Sequence, residues 1–169
     1  PTGLGLNISA STISVFGTSN GDGFVNGYDR TATILKWSAK LGSSGEDIAT
    51  AGTEDVAGNI WIAGASSLSG DPVSAQLPLP TGILNPGGYI PDTSTALPAL
   101  RQLNVWKVSA KGVLLNSWSK PLKAAIYPRT IVAKSGKIYI TGEMATQASD
   151  HFSISMTPEG TFENPKTEP

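Results

Sequence analysis

The sequence predicts an all-β chain built from one unit of four short strands used three times. Three observations carry this reading. Short runs of β-branched and aromatic residues alternate with small or polar ones, the period of a half-buried strand. A strand ending in glycine recurs as Ile13-Ser14-Val15-Phe16-Gly17, Ile60-Trp61-Ile62-Ala63-Gly64 and Ile138-Tyr139-Ile140-Thr141-Gly142. No long helical period is present. The nearest candidate, Thr31–Lys40, is rich in Thr and β-branched residues and alternates instead.

The glycine-ended strand is the second of each unit. The first strands are predicted at Leu4–Ser9, Ile48–Thr53 and Thr130–Ala133. They are short and rich in small residues, as innermost strands crowding a central channel require. Turns follow at Ala10-Ser11, Asp55 to Asn59 and Lys134-Ser135-Gly136. Third strands are predicted at Phe24–Tyr28, Val105–Val108 and Phe152–Met156. Fourth strands are predicted at Thr33–Leu41, Val113–Leu122 and a weaker Thr161–Glu163. Trp37-Ser38 and Trp118-Ser119 read as matching places, each four residues before a leucine, Leu41 or Leu122. Both indoles are expected to pack between units. Pro165, Lys166 and Pro169 are expected to leave the fold.

Residues 65–102 interrupt the second unit with Pro72, Pro78, Pro80, Pro86, Pro91 and Pro98. Prolines that dense exclude a central strand. A loop of this length inside a compact domain is usually functional or disordered.

A repeated four-stranded unit that cannot bury its own faces is the pattern of a β-propeller. The expected domain is 1–169, with blades at about 3–41, 46–122 and 124–164. Ring closure takes about four to eight blades. Three would form an open wedge with an uncapped sheet face at each end. The expected partners are therefore the remaining blades of a longer chain or other protein subunits.

Composition removes several classes. Charged residues make up 15% of the 169 and the net charge is -1, which leaves no electrostatic footprint for nucleic acid or an anionic membrane. No apolar run is long enough to insert into a bilayer. With 39% hydrophobic residues the chain can fill a core. It has no cysteine, so disulfides, thiolate zinc and thiol catalysis are excluded. A cysteine-free, Lys-poor chain rich in Ser, Thr, Gly and Ala suits an exported bacterial protein. The first residue is Pro1 and not Met, so the expectation is a processed product or a segment of a longer chain.

One stretch carries a family likeness. Asp22-Gly23-Phe24-Val25, Tyr28-Asp29, Leu35-Lys36-Trp37 and Leu41-Gly42-Ser43-Ser44-Gly45-Glu46-Asp47 stand in order. They continue through Ile48-Ala49, Asp55 and Ala57-Gly58-Asn59 to the second glycine-ended strand. This pattern resembles the SBBP repeat of bacterial, seven-bladed β-propellers. The likeness is looser in the third unit, which lacks the Gly-Ser-acid loop and the Trp. The resemblance implies the propeller fold and an extracellular or cell-surface setting; it implies no reaction and no catalytic residues. The expected function is non-enzymatic: structural assembly, adhesion or protein–protein interaction. A carbohydrate-binding propeller is the alternative. A hydrolase or lyase using His151 and loop carboxylates comes third.

The candidate sites follow from residue chemistry. Read from Thr18, the segment places Asn20, Asp22, Asn26 and Asp29 at calcium-loop positions 3, 5, 9 and 12, with Gly23 at 6. Thr18 stands where such a loop needs Asp, so a plain inter-strand turn competes with calcium. No other cofactor is expected. His151 is the single histidine, and no Gly-x-Ser-x-Gly elbow accompanies it. Trp61 and Trp106 are the candidate sugar platforms, because neither recurs as Trp in the other units; filling inter-sheet space is the competing role. In a propeller the second-to-third and fourth-to-first connections open on one end, where binding residues gather. Asp22, Glu46, Asp47, Asp71, Asp92, Glu143 and Asp150 are expected there.

Overall fold

The computed structural model describes residues 2–8, 12–42, 47–68, 100–144, 151–163 and 166–168. Among them there is no helix, and twelve strands form three antiparallel sheets in strict chain order. Sheet 1 holds β1 (Thr2–Ile8), β2 (Ile13–Ser19), β3 (Asp22–Tyr28) and β4 (Leu35–Leu41). Sheet 2 holds β5 (Asp47–Glu54), β6 (Ile60–Ser67), β7 (Leu100–Val108) and β8 (Leu114–Pro121). Sheet 3 has three full strands, β9 (Ile126–Lys134), β10 (Lys137–Met144) and β11 (His151–Met156), plus the three-residue β12 (Lys166–Glu168).

Local chemistry sets the turns. Asn20-Gly21 and Ser135-Gly136 form two-residue hairpins with positive φ at both positions, the geometry that suits the right-handed twist of the flanking strands. A second turn type recurs at Asp55–Asn59, Ser109–Val113 and Thr157–Thr161. In each, the first residue's N–H donates to the fifth residue's carbonyl. The glycine at the fourth place (Gly58, Gly112 or Gly160) takes positive φ and donates back to the first residue's carbonyl. A side-chain oxygen of the first residue accepts further backbone N–H bonds: Asp55 from Ala57 and Asn59, Ser109 from Lys111 and Val113, Thr157 from Thr161. The corresponding turn of sheet 1 starts at Asp29, is one residue longer and carries Ala32 in the glycine's place, at φ 55°.

The sheets stack, with sheet 2 in the middle. One face of sheet 1 (Phe16, Val25, Leu41) packs on Ala49, Ile60, Ile62, Trp106 and Val108 of sheet 2. The opposite face of sheet 2 (Ala51, Trp61, Ala63, Leu103, Val105) packs on Ile131, Ile138, Ile140, Phe152, Ile154 and Met156 of sheet 3. Sheet 2 is covered on both sides, so β6 is buried from Ile60 to Ser66 and reads as a continuous apolar and small-residue run. Neighbouring sheets meet mainly through their first strands β1, β5 and β9.

Two tryptophans hold the stack at its edge. Trp37 on β4 lies across Gly112 in the β7–β8 turn, and Trp118 on β8 lies across Gly160 in the β11–β12 connection. A Cβ on Gly112 would come within 2.7 Å of the Trp37 ring, and a Cβ on Gly160 would overlap the Trp118 ring. Trp118 also stacks on Trp61, with ring centroids 5.4 Å apart and planes 7° from parallel.

Several expectations are corrected. The fourth strand of the third unit is Lys166–Glu168 and not Thr161–Glu163; Phe162 makes only an isolated bridge to Met156. The chain therefore does not leave the fold at Lys166: it pairs Lys166 with Ser153 and Glu168 with His151. Trp37 and Trp118 are not at matching register. Counted from their hairpins, Leu35 pairs with Tyr28 and Leu114 with Val108, which puts Trp118 two residues further along its strand. The two-residue period keeps both indoles on the same face. The insertion is shorter than 65–102, because β6 runs to Ser67 and β7 starts at Leu100; residues 69–99 lie outside the described residues. The two outer faces also differ. That of sheet 1 is apolar on its first two strands, with Leu6, Ile8, Ile13 and Val15, and mixed on its third and fourth, where Phe24 and Tyr28 alternate with Asn26 beside Ser38 and Lys40. That of sheet 3 is largely polar: Thr130, Thr141, Ser153, Ser155, Arg129 and Glu143 surround Val132 and Tyr139.

The Trp37–Gly112 contact makes a prediction. Gly112→Ala adds both left-handed strain and the clash with the indole, and lowers stability by about 2 kcal/mol in urea denaturation. In a Trp37→Leu background the indole clash is gone but the position-37 Cβ, 2.8 Å from the added methyl, remains, so the same change lowers stability by a smaller amount, between about 1 and 2 kcal/mol.

Candidate functional site

The ends of β2, β4, β6, β8 and β10 and the starts of β3, β5, β7, β9 and β11 lie at the same end of the stack. Asp47 N–H at the start of β5 donates to Gly21 O in the β2–β3 hairpin (2.8 Å). Thr50 Oγ1 donates to Pro128 O near the start of β9 (2.7 Å). These two bonds tie the three sheets together at this end.

The acids expected there that the structure describes are held by neighbours. Asp22 at the start of β3 pairs with Lys40 at 2.9 Å. Glu143 on β10 accepts from Arg129 Nε (3.0 Å) and Nη2 (2.9 and 3.1 Å), a forked pair that fixes both side chains. The Arg129 guanidinium also lies 4.6 Å from the Tyr127 ring centroid. Burial pushes the Tyr127 hydroxyl above its ordinary pKa; the nearby Arg129 charge opposes that shift and Glu143 adds to it. His151 is exposed and stands opposite Glu143 in the β10–β11 register. Glu46, Asp71, Asp92 and Asp150 lie outside the described residues.

Asp47 is not on an open rim, contrary to expectation. It is 1% exposed, and its Oδ1 accepts from Asn104 Nδ2 at 3.2 Å. Asn104 also donates to Ser66 Oγ (2.9 Å), and its own Oδ1 accepts from Ser119 (2.8 Å) and Gln102 (3.2 Å). Residues of β5, β6, β7 and β8 thus share one polar knot at the end of sheet 2, beside Gly42. Its physical reason is plain: a carboxylate covered on both sides by sheets needs partners. Ser66, Asn104, Ser119 and Gln102 escape the sequence reading. The available signal is Asn104 itself, a lone amide inside the buried run Leu103-Asn104-Val105-Trp106.

The sugar-platform reading of Trp61 and Trp106 is overturned. Trp61 is 1% exposed and Trp106 2%. Trp61 is sealed between Trp118 and the Lys107 ammonium, 4.8 Å from its ring, and its Nε1 donates to Asp55 (2.9 Å). Trp106 is in the core between sheets 1 and 2. Both turn their faces to protein.

The calcium-loop residues are not brought together. Asn20 is in the hairpin, Asp22 and Asn26 lie along β3, and Asp29 is past its far end; β3 alone spans roughly 20 Å. Asn26 accepts from Ser38 Oγ at 2.7 Å. Asp29 holds its own turn, accepting from Thr31 and Thr33 hydroxyls and from Thr33 and Ile34 N–H. Those bonds, Thr31 first, hold its pKa down to about 2. Burial alone would raise the Asp55 pKa, but the bonds from Trp61, Asn59 and Ala57 outweigh it and the net shift is downward. Among the described residues, no cluster of three or more His, Asp or Glu side chains is arranged to hold a metal ion.

In comparisons with known proteins, no protein-family model and no curated protein matches the chain.

Two predictions arise here. Asn104→Leu removes the donor facing the buried Asp47 carboxylate and lowers stability by about 2 kcal/mol or more in chemical denaturation at pH 7. The Asp29 carboxylate binds its proton more weakly in the fold than in the unfolded chain. Its stabilising contribution is therefore full above about pH 4 and is lost as the pH falls through about 2. Asp29→Ala flattens the acid limb of the stability curve over that range, measured by thermal melts from pH 5 to 2.

Proposed function

We propose that the chain is a non-enzymatic β-propeller segment of the SBBP-repeat type, at work outside or on the surface of a bacterial cell, and that it serves assembly and protein–protein interaction. The propeller reading is supported by the four-stranded sheets in chain order, the adjacency of first strands β1, β5 and β9, and the repeated Trp–Gly contact between successive sheets. The bacterial surface setting rests on the cysteine-free composition and on the Asp22–Asp47 motif.

One observation carries the interaction role. Sheets 2 and 3 bury the aliphatic pairs Ile60/Ile62 and Ile138/Ile140 against the preceding sheet. Sheet 1 presents the equivalent pair, Ile13 and Val15, on a face whose neighbours Leu6 and Ile8 are 58% and 60% exposed. An apolar sheet face of this kind is an interaction surface.

The test is binding by the immobilised, folded chain to proteins exported by its source cells. A Leu6→Asp/Ile8→Asp variant serves as the control, with its fold checked by circular dichroism. Binding that is lost in the variant is the expected result. Binding unchanged by the variant overturns the assignment of this face.

A further inference from the structure

We infer that Asn20 is a site of self-modification: its side-chain amide converts to isoaspartate in the folded chain, and the product unfastens sheet 1 from sheet 2. Nothing in this chemistry depends on the partner proposed above.

Asn20 and Gly21 are the two central residues of the β2–β3 hairpin, with φ 54° and 83°. The ladder passes from Ser19 straight to Asp22, so neither takes part in it. Asn20 is exposed, and Gly21 has no side chain to shield its backbone nitrogen. That nitrogen and the Asn20 amide react with each other. The Gly21 nitrogen loses its proton to water and bonds to Asn20 Cγ. The Cγ–Nδ2 bond breaks, and Nδ2 takes a proton from water and leaves as ammonia. The product is a five-membered succinimide. Water then opens the ring at either carbonyl. Opening at the side-chain carbonyl gives Asp. Opening at the main-chain carbonyl gives isoaspartate, whose backbone runs on through Cβ and Cγ. No electrons are exchanged, and water is the only co-reactant.

The same dipeptide occurs again as Asn26-Gly27, within β3. There Asn26 pairs with Val15 and Ser38, and Gly27 with Ser14 and Trp37, so both residues are held between β2 and β4. Asn26 accepts from Ser38 Oγ at 2.7 Å. The Trp37 indole covers Gly27 so closely that a Cβ there would lie 2.1 Å from the ring. Ring closure requires the asparagine to turn about its Cα–C bond. A two-residue surface loop does so by opening locally, whereas the strand would have to break two ladders. Asn20 therefore reacts and Asn26 does not.

The consequence follows from what Gly21 holds. Its carbonyl accepts from Asp47 N–H at 2.8 Å, the bond that ties the β2–β3 hairpin to the start of β5. Loop length and turn geometry set a hairpin's register. Isoaspartate adds one backbone carbon to a loop of two residues and displaces that carbonyl. Either product also adds a negative charge close in the chain to Asp22.

The experiment ages the purified, folded chain in warm, mildly alkaline buffer. Tandem mass spectrometry locates the mass gain of amide-to-acid conversion, and labelling by an isoaspartyl methyltransferase marks the isomer. The expected result is isoaspartate at Asn20 with Asn26 intact, and modification at both when the chain is aged unfolded in urea. The aged folded chain then unfolds at a lower urea concentration than the fresh one. Asn20→Gly suits the positive φ of the turn and removes the site, and the aged variant keeps its midpoint. An Asn20 that stays intact in the folded chain overturns the inference, and so does an Asn26 that reacts as fast. A chain modified at Asn20 that keeps the fresh midpoint overturns the loosening of the sheets, as does an equal fall in aged Asn20→Gly. The site itself is read from the wild-type chain, whether or not the variant folds.

Discussion

The burial of sheet 2 on both faces is the constraint on which the rest depends. Its second strand has no solvent side, so Ile60 to Ser66 carries no charge and ends in small residues where the third sheet comes close. Trp61 and Trp106, on adjacent strands, turn to opposite neighbours: one fills the space toward sheet 3, the other the space toward sheet 1. Each sheet boundary thus has one fully buried indole from the middle sheet and one half-buried indole from a fourth strand. The polar atoms that this burial traps are met unevenly. Trp61 Nε1 finds Asp55, while Trp37 Nε1 is buried without a partner among the described residues, at a cost of about 1–3 kcal/mol.

Much of this was legible in the sequence, for a physical reason. A strand buried on one face prints its period of two, and the glycine-ended strands of sheets 1 and 3 do so clearly. The middle sheet does not, because a strand covered on both faces has no polar alternation to display. That is why Trp61 and Trp106 read as candidates for exposure and proved buried. The register of Trp37 and Trp118 was hidden differently. Counting back from Leu41 and Leu122 ignores the longer Asp29 turn, and Leu122 lies just beyond the end of β8. The last strand is hidden in the sequence because Thr161–Glu163 has strand-like residues but only Phe162 bridges; the chain returns to the edge of β11 at Lys166.

Asp22, Asp47 and Glu143 stand at the expected end of the molecule, but their work is structural. Their positions follow from connectivity, which sequence order fixes. Their roles follow from what the neighbouring sheet covers, which it does not. Asp47 faces inward because β5 begins under the β2–β3 hairpin, and Asn104 is the amide that makes a carboxylate tolerable there. Asp29 and Asp55 hold turns by accepting backbone N–H bonds, and Ser109 and Thr157 do the same with a hydroxyl. This shared device, an oxygen-bearing residue three places before a left-handed residue, is a repeat in its own right. It is visible in the sequence as Asp55-x-x-Gly58, Ser109-x-x-Gly112 and Thr157-x-x-Gly160.

Asp29-x-x-Ala32 is the variant of that device, and it separates two causes that coincide elsewhere. Positive φ favours glycine in all four turns, yet Ala32 shows that the turn forms without it, at a strain of about 1–2 kcal/mol. Gly58 also takes positive φ, and its nearest neighbours leave a Cβ ordinary contact distances. At Gly112 and Gly160 a Cβ has no room at all, because an indole of the neighbouring sheet fills it. The backbone alone therefore does not require glycine at those two places; the indole does. Ala32, exposed in its turn, has no such indole to make room for.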